Sequence, residues 1–134
     1  MHVTDLIGKP FVDGGRGPEA YDCWGLCVEV FRRQGVELRD YKLCCHDSAG
    51  FDGLFQEALS QWERREEPNI PAPSVVAIRF NHPVFINHVG VYIGNGRFLH
   101  TREKTGVVVE RIDSPCWRDR VEGFYTPTES EVNP

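Results

Sequence analysis

The chain has 134 residues, enough for one domain that removes roughly two thirds of its unfolded surface from water. Hydrophobic content of 40%, charged content of 26% and 11% aromatic residues are those of a globular protein and exclude general disorder. The net charge of -5, with Lys and Arg scattered among acids, leaves no basic footprint for nucleic acid, and no run of about 18 apolar residues is present to span a membrane.

From the start of the chain, Met1 to Pro10 lacks the basic stretch and the apolar run of a secretion signal, so no classical export signal is expected. Pro10 to Ala20, with Gly14, Gly15, Gly17 and Pro18, reads as a loop. The pattern then changes. Leu26 and Val30, and Cys27 and Phe31, are spaced by four, which predicts a helix over 22–34 with Asp22 as N-cap and Gly35 as the stop. Phe51, Leu54, Phe55, Ala58, Leu59 and Trp62 recur at helical spacing and predict a second helix that buries this stripe in the core. Glu63 to Pro73 reads as a connection.

The second half reads as strands over 74–80, 88–93, 97–101, 106–112 and 121–125, with Gly94-Asn95-Gly96 supplying the positive φ angles of a tight hairpin. Helices first and an antiparallel meander of about five strands second make an α+β domain, with the sheet packed on the first helix. The domain is expected to occupy 1–126, and 127–134 a polar, frayed tail.

Five cysteines, with Cys44 and Cys45 adjacent, do not suit a disulfide framework, so reduced thiols are expected. A zinc site drawn from Cys44, Cys45, His46 and His82 would have no recognisable ligand spacing; no metal and no organic cofactor are expected. Cys27, Cys44, Cys45 and Cys116 read as small buried hydrophobes, and His46 and His82 as surface residues.

Cys23 is different, because it stands where a helix begins. The unpaired N–H groups of a helix N-terminus and a nearby histidine both favour thiolate, the reactive form. His88 on a predicted strand would take the thiol proton and return it to a leaving amine. His100 is nearly symmetric with His88 about the 94–96 turn, which puts the two opposite or diagonal on neighbouring strands, close enough for His100 to orient the His88 ring. The order cysteine, histidine, polar residue along the chain is that of a papain-like triad.

Asp22-Cys23-Trp24-Gly25-Leu26 resembles the nucleophile motif of the NlpC family of papain-like peptidoglycan cysteine peptidases, and the segment from His88 to His100 resembles its histidine hairpin. The resemblance runs from about Ile7 to Tyr125. It implies a compact α+β domain, Cys23 as nucleophile, His88 as base, His100 as the orienting third member, and hydrolysis of an amide in bacterial wall stem peptides, typically between D-glutamate and a diamino acid. By the same resemblance Asp22 can bind the free amine of a stem peptide as well as cap the helix. Trp24 stands where many relatives have serine and would narrow the cleft beside the nucleophile. The family's frequent tyrosine before the glycine pair is Phe11 here, whose ring cannot donate to an oxyanion; Tyr21 is the nearby hydroxyl.

Gly14-Gly15-Arg16-Gly17, the Cys23 motif and Leu38-Arg39-Asp40-Tyr41 together resemble the single-domain form found among bacteriophage tail proteins. This implies synthesis in the cytoplasm, incorporation in a phage tail or tail-like particle, peptidoglycan peptides and other tail proteins as partners, and neither nucleic acid nor membrane. Two rival readings accompany it: a structural tail-tip component with weak or no catalysis, and an amidase or acyltransferase of the same fold.

Overall fold

The computed structural model describes residues 1–44 and 46–128. Helix α1, Cys23–Arg33, starts where Asp22 turns extended and its carboxylate accepts from the Gly25 N–H at 2.7 Å, as an N-cap does. It ends before Gly35, whose φ of +83° supplies the left-handed turn that stops a helix. Helix α2, Ser48–Leu59, is capped by Asp47, which accepts from the Gly50 N–H at 3.0 Å, and buries Phe51, Phe55, Ala58 and Leu59.

Trp62, the last member of the predicted stripe, is not on α2. The chain leaves the helix at Ser60, whose hydroxyl donates to the Glu57 carbonyl, and Trp62 opens strand β1, Trp62–Arg65, in a stretch read from sequence as a connection. Its ring still reaches the core, 6.1 Å from Trp24 and 6.3 Å from Phe31. Periodicity marks which residues are buried, and both a helix and the strand after it can bury this one.

Five further strands follow: β2, Ser74–Ile78; β3, His88–Gly94; β4, Arg97–Arg102; β5, Gly106–Arg111; and β6, Val121–Pro127. They join β1 in one six-stranded antiparallel sheet of order β1-β6-β2-β3-β4-β5. The meander predicted from sequence holds from β2 to β5. After β5 the chain crosses back, so that β6 pairs with β2 and fills the place between β2 and β1. Pro127 pairs with Trp62 and the Thr128 hydroxyl donates to the Gln61 carbonyl, so the first two residues of the expected tail are held beside β1; its remainder, 129–134, and Cys45 lie outside the described residues.

One face of the sheet carries α1: Val75, Ala77, Val89, Val91, Leu99 and Val107 share a core with Leu26, Cys27, Val30 and Phe31. On the other face Val76, Ile78, Tyr92 and Phe98 pack with Trp117, from the β5–β6 connection. No helix of the described residues is long and apolar enough to cross a membrane.

Candidate active site

The loop over 10–21 folds back on itself and holds the start of α1. The Tyr21 N–H donates to the Pro10 carbonyl, Asp22 N–H to the Gly15 carbonyl, and Gly14 N–H to the Asp22 carboxylate. Arg16 locks the arrangement, reaching Asp22 at 2.7 Å through one guanidinium nitrogen and Asp40 at 2.7 Å through the other. Asp22 therefore accepts from Gly25, Gly14 and Arg16 while 3% exposed. The segments around Arg16 and Asp40, far apart in sequence, are joined at this ion pair.

The same loop fixes where Cys23 lies over the sheet. Gly8 and Lys9 exchange hydrogen bonds with Val107 near the start of β5, and Tyr21 is tied to Pro10 next in line. That end of β5 abuts the end of β4 at Arg102, so the first turn of α1 stands at the end of the sheet where β4 finishes and β3 begins with His88. Cys23 is 1% exposed there, and one turn on, the Cys27 thiol donates to the Gly90 carbonyl at 3.3 Å. Burial pushes the Cys27 thiol well above its usual range, the opposite of what a nucleophile needs.

His88 and His100 meet. His88 Nε2 lies 2.9 Å from His100 Nδ1, with both rings buried. Their strands pair Val91 with Leu99 and Tyr92 with Phe98, and a register shift lies between Tyr92 and Gly94; continued toward His88, this register sets the two histidines diagonal. Gly90 leaves room for His100 on the neighbouring strand: a β-carbon there would come within 2.7 Å of the Leu99 carbonyl oxygen, 2.9 Å of the Phe98 ring and 3.3 Å of the His100 β-carbon. His100 is walled by Trp117, 4.6 Å away edge to face, and by Phe98 at 5.3 Å, and its Nε2 lies 3.3 Å from the Glu110 carboxylate. Burial holds His88 well below its usual range, and the positive charges of His100 and Arg102 add to this. Burial likewise takes His100 down to about 4, against the hydrogen bond and charge of Glu110 and with Arg102 lowering it further. Both rings are thus neutral near pH 7.

A cleft of about 340 Å³ opens beside His88, lined also by Phe11, Phe80, Asn87, Thr101 and Arg102. Phe11, at the position where the resemblance puts a tyrosine, therefore borders the histidine's cleft. The Arg102 guanidinium lies 4.8 Å over the Phe80 ring, which stacks on Trp117.

Trp24 and Tyr21 are not in this cleft's lining. Trp24 is 2% exposed, its indole N–H donates to the Arg39 carbonyl, and its ring packs on Tyr41 and Trp62. Tyr21 is buried with its hydroxyl end against Gly17. Both are large apolar surfaces beside a helix start, and the core takes them. Cys44 and Cys116 are exposed, against the expectation that they are buried hydrophobes; both lie outside the helices and strands, where no packed face covers them. His46 is exposed and pairs with Glu103, while His82 accepts from the Val84 and Phe85 N–H groups, so each has its own local partner.

The NlpC/P60 family model matches residues 8–126. The chain belongs to the NlpC/P60 family. Relatives in that family include the probable endopeptidase p60 of Listeria grayi, 28% identical over 88% of this chain and 20% of its own length. The gamma-DL-glutamyl hydrolase of Bacillus subtilis (strain 168) is 29% identical over 92% of this chain and 27% of its own. The chain thus spans about a quarter or less of these two relatives. An NLP/P60 family structure from Staphylococcus aureus subsp. aureus Mu50 superposes with a TM-score of 0.64, at 20% identity over 92% of this chain and 38% of that one. The papain-like NlpC/P60 fold, two helices on a six-stranded antiparallel sheet, is common to both.

Two residues joined to this cluster by the fold escape the sequence reading. Glu110 sits on β5, where Phe98 pairs with Glu110 and His100 with Val108, so it is diagonal to His100; an acid directly after the Val107-Val108-Val109 run is the available signal. Arg16 had none, since its partners Asp22 and Asp40 are brought to it only by folding.

Proposed function

We propose that this domain is a cysteine endopeptidase that hydrolyses an amide in the stem peptides of bacterial peptidoglycan, with Cys23 as nucleophile, His88 as base and His100 orienting it. The observation that carries the reading is the buried 2.9 Å His88–His100 contact, in a chain of the NlpC/P60 family whose relatives include an endopeptidase and a gamma-DL-glutamyl hydrolase. Those names favour the bond between D-glutamate and the next residue of the stem.

In this reading the Cys23 thiol gives its proton to His88 as the sulfur attacks the amide carbon; first-turn N–H groups of α1 face the oxyanion that forms. The C–N bond then breaks, the leaving amine takes the proton from His88, and water hydrolyses the thioester with His88 again as base. Asp22 has the helix-cap role, since its carboxylate already accepts three donors. The cleft beside His88 receives the peptide. Delivery in a bacteriophage tail or tail-like particle, after synthesis in the cytoplasm and alongside other tail proteins, is part of the proposal. Its support is the resemblance of the segments that the Arg16–Asp40 pair ties together.

A structural tail-tip role with weak catalysis is the second reading, favoured by Phe11 in the cleft wall where a donor would be wanted. The deciding experiment incubates the protein with purified wall fragments from several bacteria and identifies the products by mass, beside a Cys23→Ala control. New stem-peptide ends made only by the unaltered protein are expected. If both proteins leave all fragments intact, the hydrolase reading falls and the structural one stands.

A further inference from the structure

We infer that Glu110 is a fourth, positioning member of the histidine chain: its carboxylate fixes which nitrogen of each ring carries the proton. Two neutral imidazoles 2.9 Å apart share one proton, and this can be arranged in two ways. Either His88 Nε2–H donates to a bare His100 Nδ1, or His100 Nδ1–H donates to a bare His88 Nε2. Only the first leaves His88 Nδ1 without a proton and able to accept one.

Glu110 decides between them. A carboxylate accepts and does not donate, so the 3.3 Å contact to His100 Nε2 is a hydrogen bond only if Nε2 carries the proton. A neutral His100 then has a bare Nδ1, and His88 must protonate Nε2. The alternative would set the lone pair of the fully buried His100 Nε2 against the carboxylate of a half-buried Glu110, where facing acceptors repel and the ring nitrogen is left without a partner. The surroundings give His100 no other way out. Trp117 and Phe98 pack against its ring, and the ionisable groups facing it are His88 from β3, Arg102 from its own strand and Glu110 from β5. Arg102 favours the neutral ring and cannot accept a proton, so among the described residues Glu110 supplies the acceptor at Nε2. When His88 takes a proton at Nδ1, its positive charge is opposed by Glu110 through His100.

The consequence for catalysis rests on the proposed hydrolase reading; the tautomer assignment does not. The test therefore reads both. In protein labelled with ¹⁵N-histidine, long-range proton–nitrogen NMR at pH 7 should show His88 and His100 each protonated on Nε2. Glu110→Ala should move part of both populations to Nδ1–H, whereas Glu110→Gln, whose amide oxygen still accepts, should stay close to the unaltered pattern. On wall fragments, Glu110→Ala should lower kcat by about tenfold with KM little changed, and Glu110→Gln should recover most of that loss, the pattern of a group that orients a base. A His88 protonated on Nδ1 in the unaltered protein overturns the inference, as do tautomers that ignore Glu110→Ala. Should Glu110→Ala fail to fold, the unaltered protein and Glu110→Gln still decide it: loss of the Nε2–H pattern in Glu110→Gln would then count against it. If the tautomers are as stated and no wall fragment is cut, the positioning role holds and the hydrolase reading falls.

Discussion

Gly25 passes so close to Gly15 that a β-carbon at Gly25 would lie 2.1 Å from the Gly15 carbonyl oxygen. That oxygen also receives the Asp22 N–H, so the contact holds the loop, the cap and the first turn of α1 in one piece. In an ordinary helix interior Gly→Ala stabilises by about 1 kcal/mol. Here the sign reverses: Gly25→Ala must push α1 and the loop apart, and a loss on the order of 2 kcal/mol or more is expected. Chemical denaturation of the purified variant measures it, and equal or higher stability would show that the loop yields freely.

His88 and His100 make stability depend on pH. In the unfolded chain each takes up a proton near pH 6.5, whereas in the folded protein burial delays this to about 4 for His100 and lower than usual for His88. Between these values the unfolded chain binds more protons than the folded one, so stability is lost as pH falls from 6.5 toward 4 and is level, as far as these groups matter, above about 7. Replacing His100 by Gln should flatten the slope between pH 6.5 and 5 by on the order of 1 kcal/mol across that window, read from denaturant midpoints. Glu110 and Arg102 remain in the variant, so an unchanged slope would mean that the linkage arises elsewhere.

Thiol reactivity tests whether Cys23 differs from the other cysteines. Cys44 and Cys116 are exposed and Cys27 is buried against Gly90, so each provides an internal control. His88→Ala should slow iodoacetamide modification of Cys23 by about tenfold or more near neutral pH, while Cys44 and Cys116 keep their rates, as peptide mass mapping would record. Equal rates at Cys23 with and without His88 would remove the histidine as its base.

Phe11 lines the cleft of His88 without a group to donate. Phe11→Tyr adds one hydroxyl at that wall and should raise kcat on wall fragments severalfold if the hydroxyl reaches the developing oxyanion, with KM less affected. Unchanged or lower kcat would mean that the oxyanion is held from elsewhere.

Much of this could be read from the residues, for identifiable reasons. Asp22 and Gly35 bracket α1 because capping chemistry is local, and His88 and His100 meet because a short hairpin fixes its register within a residue or two. What was missed depends on distant partners. Trp62 fits the helical stripe and a strand equally, and Glu63-Arg64-Arg65 has no apolar alternation, so β1 shows itself only beside β6. The return of β6 to β2 is a choice of neighbour that no local pattern encodes. Trp24 was assigned to a cleft because it adjoins Cys23, but adjacent helix residues point about 100° apart, and its ring faces Trp62 and Tyr41.

At each border of the sheet the backbone has company or deterrent. Val107 of β5 already exchanges hydrogen bonds with Gly8 and Lys9, and Gly106 permits that approach, since a β-carbon there would meet the Lys9 carbonyl oxygen at 2.5 Å. The opposite border, β1, presents Glu63, Arg64 and Arg65. Neither border therefore offers a long bare apolar strand on which the sheet of a second copy would zip.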